Sequence, residues 1–286
     1  MSVFFIINPV AGRGRAIKVW KKIKESLNFC YDYKFTNSIG EATQIAKKAY
    51  NDGYKIIISV GGDGTLREVV KALAGKDALL GIIPAGTGND FARTLGIPLD
   101  IEKSLNILKL GSSEEMDLIR CNGEIFINAA GAGLDAHVAD CVNNEIRLFK
   151  GTFAYIAALI KTLHRFNPQD VEINIDGKIL KRKAWLVTIS NGKYYGGGMM
   201  ICPTAQPDDG YLDVSIVNDV RKTEILRFLP RVFGGKHITH RAYETFRGKK
   251  VIVKSLTPIL VHTDGDIIGV TPKEFEIWPK AINIIR

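Results

Sequence analysis

Apolar runs and amphipathic segments alternate along the first 110 residues. Residues 4–7, 56–60 and 79–83 form almost wholly apolar runs, which predict strands buried on both faces of a sheet. Between these runs, apolar residues recur every three or four positions, as at Trp20 and Ile23, and predict amphipathic helices. The alternation predicts an α/β domain with a mostly parallel sheet, over about residues 1–120.

The pattern changes near residue 116 to shorter apolar runs separated by polar turns. It predicts a β-rich second domain over about residues 121–274. The predicted strands lie at residues 125–129, 171–175, 184–189, 211–217 and 251–253, and the predicted helices at residues 149–165 and 222–233.

Composition and charge narrow the class of protein. A chain of 286 residues with average hydrophobic and charged content is expected to form two folded domains. Its net charge of +9 favours an acidic partner: a nucleotide, a nucleic acid or an anionic membrane surface. No apolar stretch approaches the ~20 residues of a membrane-spanning helix, so any contact with a membrane is expected to be peripheral. The four widely spaced cysteines suggest no disulfide framework and fit a reducing cytoplasm.

The segment Gly61-Gly62-Asp63-Gly64-Thr65 lies directly between a predicted strand and a predicted helix. Glycines allow a close approach of the backbone, and a helix N-terminus offers free N–H groups to phosphate. A carboxylate beside an anion favours a bound Mg²⁺ between them. The alternative is an ordinary turn in which Thr65 caps the helix.

Two further loops follow strands of the same predicted sheet. Residues 8–15 carry two glycines and two arginines, and residues 84–93 combine glycines with Thr87, Asn89 and Asp90. Loops at the carboxyl ends of parallel strands gather at one edge of a sheet, where ligands bind. The three loops together therefore predict a phosphate-binding site.

Five motifs in this order resemble those of the diacylglycerol kinase catalytic domain of bacterial lipid kinases. They are Asn8-Pro9-x-Ala11-Gly12, the Gly61–Thr65 segment, residues 86–92 (GTGNDFA), and the later pair of residues 207–213 (PDDGYLD) and 263–266 (TDGD). NAD kinases share the Gly61–Thr65 element, but the GTGNDFA loop and the late TDGD element favour the lipid branch. The resemblance extends over essentially the whole chain.

The resemblance implies a Rossmann-like, NAD-kinase-like nucleotide domain and a β-sandwich-like second domain, with a final strand at about residues 275–286 returning to the first. It implies that Asp266 is the proton acceptor, that Asp63 and Asp90 position catalytic Mg²⁺, and that Asp117 joins an acidic network. It places ATP contacts at Asn8, Pro9, Val10, Ala11, Gly12, Thr36, Gly61, Gly62, Asp63, Gly64, Thr65, Leu66, Arg67 and Thr87. It places a structural Mg²⁺ at Asp209 with backbone oxygens of Gln206 and Tyr211.

Two positions depart from the family pattern. Asp266 stands where Glu is usual, and Arg67 where Asn is common. The resemblance implies an ATP-dependent lipid kinase, with diacylglycerol as the leading acceptor and phosphatidic acid as product. The alternatives are an NAD kinase-like enzyme, or a nucleotide-binding regulatory protein with little turnover.

The expected partner is a lipid substrate at an anionic membrane surface, reached from the cytoplasm at the inner face of the membrane. No nucleic-acid-binding module is recognisable, and a homodimer is consistent with the family. A basic cluster, residues 181–183 with Arg247, Lys249 and Lys250, fits either docking on anionic lipid or a solvated surface.

Overall fold

The computed structural model describes residues 2–145 and 152–286. The chain forms two compact units. The first runs to Leu118 and includes Pro279–Arg286, and the second is Ile119–Trp278. The predicted bounds were residues 1–120 with 275–286, and 121–274.

The first unit is an α/β domain, as its alternating pattern predicts. Its elements are β1 (Val3–Ile7), α1 (Arg15–Ser26), β2 (Tyr31–Phe35), α2 (Glu41–Asn51), β3 (Ile56–Gly61), α3 (Asp63–Leu73), β4 (Leu79–Pro84), α4 (Asp90–Thr94), α5 (Ile101–Leu110) and most of β5 (Ser113–Cys121). The periodic apolar positions of α1 pack inward, with Val19, Trp20 and Ile23 buried against the sheet.

The sheet of this unit is parallel in the order β2-β1-β3-β4, followed by the end of β15 (Lys273–Ile285). Asn283 and Ile284 pair in parallel with Leu79 and Leu80. Since β1, β3 and β4 run in the same direction, the segments that follow them emerge at one edge of the sheet. This topology places the three predicted phosphate loops there.

The second unit is β-rich. Its elements are β6 (Glu124–Phe126), β7 (Ala129–Gly133), α6 (Leu134–Asn144), α7 (Thr152–Arg165), β8 (Gln169–Ile175), β9 (Lys178–Ser190), β10 (Leu212–Asn218), α8 (Lys222–Val232), a 3₁₀ helix (Lys236–Thr239), β11 (Tyr243–Gly248), β12 (Lys250–Ser255), β13 (Leu260–Thr263), β14 (Asp266–Val270) and the start of β15. Antiparallel strands follow the order β14-β13-β7-β9-β8-β12-β15, and β10 pairs with β9 and β11. None of the helices in the described part of the chain is long and apolar enough to cross a membrane.

One predicted strand, residues 125–129, is divided in the structure. β6 ends at Phe126 and β7 begins at Ala129. The backbone N–H groups of Ile127, Asn128 and Ala129 donate to the carboxylate of Asp264. Because these N–H groups bind a side chain and not a neighbouring strand, the predicted strand is interrupted between Phe126 and Ala129. The predicted helix at residues 149–165 begins at Thr152 among the described residues, and residue 149 lies outside them.

We expect deletion of residues 279–286 to unfold the first unit. Ile282, Ile284 and Ile285 are buried there, and each buried side chain of this size contributes about 1.5–3 kcal/mol. Their sum is comparable with the roughly 5–15 kcal/mol stability of a whole protein. Amide hydrogen exchange in β3 and β4 measures the loss. The half-buried Asn283, changed to Ser, is the control, and unchanged protection in the truncated chain would contradict the expectation.

Candidate active site

The first loop is tied to the start of α3 through Asn8. The Asn8 backbone N–H donates to the Val60 carbonyl (3.1 Å), which continues the pairing of β1 with β3. Its side-chain Nδ2 donates to Thr65 Oγ1 (2.9 Å), and its Oδ1 accepts from the Val10 N–H (3.2 Å). Thr65 lies inside α3, which begins at Asp63, so the alternative in which Thr65 caps the helix is wrong. Its hydroxyl instead connects the loop that follows β1 with the segment that follows β3.

Glycines allow the three loops to approach one another closely. The Gly61 carbonyl accepts from the N–H groups of Ala85 (2.8 Å) and Gly86 (3.1 Å). A Cβ on Gly86 would lie 2.4 Å from Gly62 Cα, and one on Gly12 would lie 2.2 Å from the Ala85 carbonyl oxygen. Gly12 also has a φ of +57°, which favours glycine. These positions exclude larger residues for reasons of space, whether or not a ligand is bound.

Asp63 occupies the first turn of α3 and reaches the start of α4. Its Oδ1 accepts from the N–H groups of Asp90 (2.7 Å) and Phe91 (3.3 Å). Burial raises the pKa of the Asp63 carboxyl, and these two backbone donors oppose the rise. Asp63 therefore fixes the backbone of the residue predicted to share Mg²⁺ with it.

The loop between β4 and α4 is shaped by Asn89. Asn89 has a left-handed backbone (φ +54°), its Oδ1 accepts from the Gly86 N–H (2.9 Å), and its Nδ2 donates to the Gly86 carbonyl (3.0 Å). Asp90 is buried after it, and Thr87 is exposed at the tip of the loop.

Asp63 and Asp90 are a donor set that suits Mg²⁺. This ion is usually held by one or two carboxylates together with waters and phosphate oxygens. Among the residues that the structure describes, no cluster of three or more His, Cys, Asp or Glu side chains could hold a metal without such help. The pair therefore suits an ion that takes its remaining ligands from outside the protein.

The other predicted ATP contacts differ in how they could reach a ligand. Thr36 follows β2, and its N–H donates to the Ile7 carbonyl (2.9 Å), so it lies at the same edge of the sheet. Leu66 packs its side chain in the core, and its backbone N–H donates to the Gly62 carbonyl (3.0 Å). Val10 and Gly64 are exposed, and Arg67 is half-buried.

In the second unit, Asp266 follows a tight hairpin turn between β13 and β14. Asp264 (φ +47°) and Gly265 (φ +90°) form the turn, and both have the positive φ of a two-residue hairpin loop. The Asp264 carboxylate accepts the three N–H groups between β6 and β7 that interrupt the predicted strand, at 2.9–3.3 Å. Asp266 is exposed.

Polar side chains that include the buried His262 and Asp135 lie against the same turn. His262 Nδ1 accepts from the Gly265 N–H (3.3 Å), so the proton of a neutral ring lies on Nε2. That nitrogen lies 3.5 Å from Asp135 Oδ2. The same oxygen accepts from the Tyr195 hydroxyl (3.1 Å). The Asn143 amide donates to the Gly265 carbonyl (3.0 Å). The turn before Asp266 is therefore held from several sides.

Sequence reasoning missed most of this cluster. The Asp264-Gly265 pair is a recognisable hairpin signal, which was available in the sequence. Asp135 follows two glycines, Gly131 and Gly133, and Gly131 packs directly against this cluster. A Cβ on Gly131 would lie 1.8 Å from Asp135 Oδ2 and 2.7 Å from His262 Nε2.

The predicted structural Mg²⁺ site contains a guanidinium group. Arg247 Nη2 contacts Asp209 Oδ2, and Arg247 Nε lies 3.7 Å from Asp213 Oδ2. The other oxygen of Asp209 accepts from the Tyr211 N–H (3.0 Å), and Gln206 is exposed. As arranged, these residues fit Arg247 as the cation and do not fit Mg²⁺.

Asp117 is buried in the first unit. Its Oδ1 accepts from the Lys280 N–H (2.8 Å). Lys280 has a φ of +52°, an uncommon conformation for a residue with a side chain, at the point where β15 enters this unit. Asp117 thus holds the returning strand, and its part in an acidic network stays a prediction.

Comparisons with known proteins agree with this fold and identify the family. The diacylglycerol kinase catalytic domain matches residues 2–121, and the YegS C-terminal NAD kinase beta sandwich-like domain matches residues 128–286. A diacylglycerol kinase of Bacillus subtilis is 31% identical over 98% of this chain and 94% of its own length. One from Mycobacterium tuberculosis is 32% identical over 100% and 95%.

A solved structure of a candidate diacylglycerol kinase from Bacillus anthracis superimposes with a TM-score of 0.83. It is 28% identical and covers 99% of this chain and 94% of its own. The α/β domain with glycine-rich loops and the β-sandwich-like domain together define a kinase of the NAD-kinase-like fold. The chain belongs to the bacterial diacylglycerol kinase family, a family of lipid kinases, as its motifs implied.

We expect Asp63→Asn to raise the Tm at pH 7. A carboxyl whose pKa is raised by burial is costly to ionise, and Asn keeps an acceptor for the Asp90 N–H. The gain disappears as the pH falls towards the pKa of Asp63, because the carboxyl is then protonated in the folded protein. Calorimetry from pH 4 to 7 measures both parts. Asp77→Asn, at a carboxylate that is 93% exposed, is the control, and a lower Tm for Asp63→Asn at pH 7 would contradict the assignment.

We expect Arg247→Gln to destabilise the second unit by about 1 kcal/mol. The guanidinium neutralises Asp209 and the buried Asp213, and it is half-exposed, so solvent screens its contribution. Burial raises the pKa of Asp213, and the charge of Arg247 opposes that rise.

Urea unfolding with and without a chelator measures this effect. The wild-type midpoint should not change when divalent ions are removed, because an arginine supplies the positive charge. Lys254→Gln, an exposed change on β12, the next strand along the chain, is the control. A wild-type midpoint that falls on chelation would show that a metal ion, not Arg247, stabilises this site.

Proposed function

We propose that the protein is an ATP-dependent lipid kinase that transfers the γ-phosphate of ATP to the hydroxyl of diacylglycerol, giving phosphatidic acid. The observation that carries the proposal is the convergence of three glycine-bearing loops with the start of α3 at one edge of the first sheet. The chain's place in the diacylglycerol kinase family supports the choice of acceptor. The enzyme would work in the cytoplasm, at the inner face of an anionic membrane.

The nucleotide would be bound mainly by backbone groups. The N–H groups of the Gly61–Thr65 turn and the start of α3 suit the phosphate oxygens, because a helix N-terminus carries partial positive charge. The loops at Asn8–Gly12, Thr36 and Thr87 would complete the pocket, with Arg67 as a cation beside it. Asp63 and Asp90 would hold Mg²⁺, which supplies neutralisation of the charge on the transferring phosphoryl group.

Asp266 would accept the proton of the lipid hydroxyl. The hydroxyl oxygen forms a bond to the γ-phosphorus, the bond from that phosphorus to the ADP oxygen breaks, and the proton passes to the Asp266 carboxylate. Aspartate is one methylene shorter than the usual glutamate, so the backbone must present it accurately. The bonds from Asp264, His262 and Asn143 that hold the preceding turn meet this need.

A second acceptor is favoured by one observation. The second unit matches a domain described as NAD kinase beta sandwich-like, and NAD kinases share the Gly61–Thr65 element. Soluble NAD is therefore the competing substrate. A nucleotide-binding protein with little turnover is the remaining alternative, because Asp266 departs from the usual residue.

We expect Asp266→Asn to lower phosphoryl transfer by about 10²–10⁴-fold, because the amide cannot accept the proton. ATP affinity should change little, since the predicted nucleotide contacts lie in the first unit. The assay measures transfer of labelled γ-phosphate to micelles containing diacylglycerol, sphingosine or phosphatidylglycerol, and in parallel to NAD. Asp170→Asn, an exposed aspartate of β8, is the control.

Each outcome of that assay assigns the protein to one alternative. Labelled phosphatidic acid that is lost in Asp266→Asn supports the proposal. Label on NAD alone would establish the NAD kinase alternative. ATP binding without any labelled product would favour the regulatory protein, and normal turnover of Asp266→Asn would refute the role of that residue.

A further inference from the structure

Helix α8 is amphipathic, yet none of its residues is buried. A surface helix of a globular protein ordinarily buries its apolar side in the core. Here Leu226 is 42% exposed, and Phe233, at the end of the helix, is 37% exposed. Ile238, in the 3₁₀ helix that follows, is 38% exposed. An apolar strip is therefore left on the outside of the second unit.

The same segment is strongly basic. Residues 220–243 contain six lysines and arginines and one acidic residue, Glu224. The Glu224 carboxylate lies 3.6 Å from both His240 Nε2 and Arg241 Nη2. Within residues 2–145 and 152–286, Arg227 and Arg231 form no ion pair with a carboxylate. Their charge is therefore available to an external anion.

The basic cluster suggested by the sequence is different. Arg182 pairs with Glu244 (2.9 Å), Lys183 with Asp219 (3.5 Å) and Lys250 with Glu274 (2.7 Å), and Arg247 contacts Asp209. These carboxylates neutralise most of that cluster. The structure therefore favours α8, and not residues 181–183, as the basic surface that attracts an external anion.

Helix α8 is fixed to the rest of the unit by three contacts. Lys222 Nζ donates to the His164 carbonyl (2.9 Å), the Phe228 ring packs on His240 at 4.1 Å, and the Val232 carbonyl accepts from the Met200 N–H (3.1 Å). These contacts hold the helix in one orientation.

The positions along α8 place apolar and basic residues on adjacent outer faces. Leu226 and Phe233 are seven residues apart, which is close to two helical turns, so they share one face. Arg227 and Arg231 are four residues apart and share a neighbouring face. This is the residue pattern of helices that lie in the plane of a membrane surface, with apolar side chains below and basic ones among the headgroups.

We infer that the α8 face, comprising Leu226, Phe233 and Ile238 with Arg227, Arg231 and Lys236, docks the protein on an anionic lipid bilayer. Charge decides the choice of partner, because two copies of this basic face would repel each other, whereas anionic headgroups attract it. The exposed side chains of Leu226 and Ile238 favour a bilayer, because its acyl chains can bury them. A nucleic acid offers few aliphatic contacts. The inference rests on the proposed function in one respect: a lipid substrate gives the protein a reason to bind a membrane.

Co-sedimentation with vesicles tests this inference on the full chain without nucleotide. Vesicles of phosphatidylglycerol and phosphatidylcholine are compared with vesicles of phosphatidylcholine alone, at low and high salt. We expect binding to the anionic vesicles alone, weakened by salt because the charges are screened. Arg227→Gln with Arg231→Gln should weaken binding roughly tenfold or more. Leu226→Gln with Phe233→Gln should also weaken binding, because apolar insertion is lost.

Matched controls separate this face from net charge and general hydrophobicity. Lys18→Gln with Lys21→Gln removes the same charge from exposed positions of α1, and Leu256→Gln changes a leucine that is 91% exposed elsewhere. Both controls should bind like the wild type. Thermal unfolding of every variant establishes that the fold is retained, which is expected because all changed side chains are at least one-third exposed.

The opposite results would overturn the inference. They are absence of wild-type binding to anionic vesicles, equal binding to neutral vesicles, equal losses in the controls, or unchanged binding by both α8 variants. If the wild type self-associates through these residues or binds DNA through them in preference to vesicles, a second copy or a nucleic acid is the partner instead. Turnover of a short-chain, water-soluble diacylglycerol should be unchanged in the α8 variants, so a failed docking surface can be distinguished from a failed kinase assignment.

Discussion

The arrangement of the loops in the first unit depends on the hydrogen bonds that the Asp63 carboxylate accepts from the start of α4. This carboxylate stands at the start of one helix and accepts the first N–H groups of another, α4. Anions are stabilised at helix N-termini, so the bond fixes where α4 begins. The position of α4 in turn fixes Asp90 and the loop from Gly86 to Asn89. Asp63 is half-buried in this position. Burial disfavours its charged form and raises the pKa of the carboxyl.

Asp264 has a similar role in the second unit. One carboxylate satisfies three consecutive backbone N–H groups that would otherwise need a neighbouring strand. The contact ends β6, sets the start of β7 and anchors the hairpin turn that carries Asp266. In both units, an acidic side chain therefore organises backbone beside a residue with a proposed catalytic role. The structural role of each aspartate therefore lies in the backbone hydrogen bonds that it accepts, as well as in its charge.

The distribution of basic residues shows why net charge does not locate a binding surface. The chain carries +9, but much of the cluster that is compact in sequence is neutralised by carboxylates from other strands. Arg247 is the extreme case, since it lies between Asp209 and Asp213 where the family resemblance places a metal ion. The charges of Arg227 and Arg231 lie on α8, where they are separated in the sequence and form no compact basic cluster.

The sequence by itself determined the order of strands and helices in the first unit, because buried parallel strands and amphipathic helices leave distinct periodicities. It also determined the glycine-rich loops and the family, because glycines such as Gly12 and Gly86 stand where a Cβ would overlap neighbouring backbone. Only the tertiary structure decided that Asp264 interrupts a strand, that His262 and Asp135 support the turn before Asp266, and that Arg247 occupies the Asp209 site. These contacts join residues from about 40 to more than 130 positions apart, as in the hydrogen bonds from residues 127–129 to Asp264, and local periodicity carries no information about such pairs.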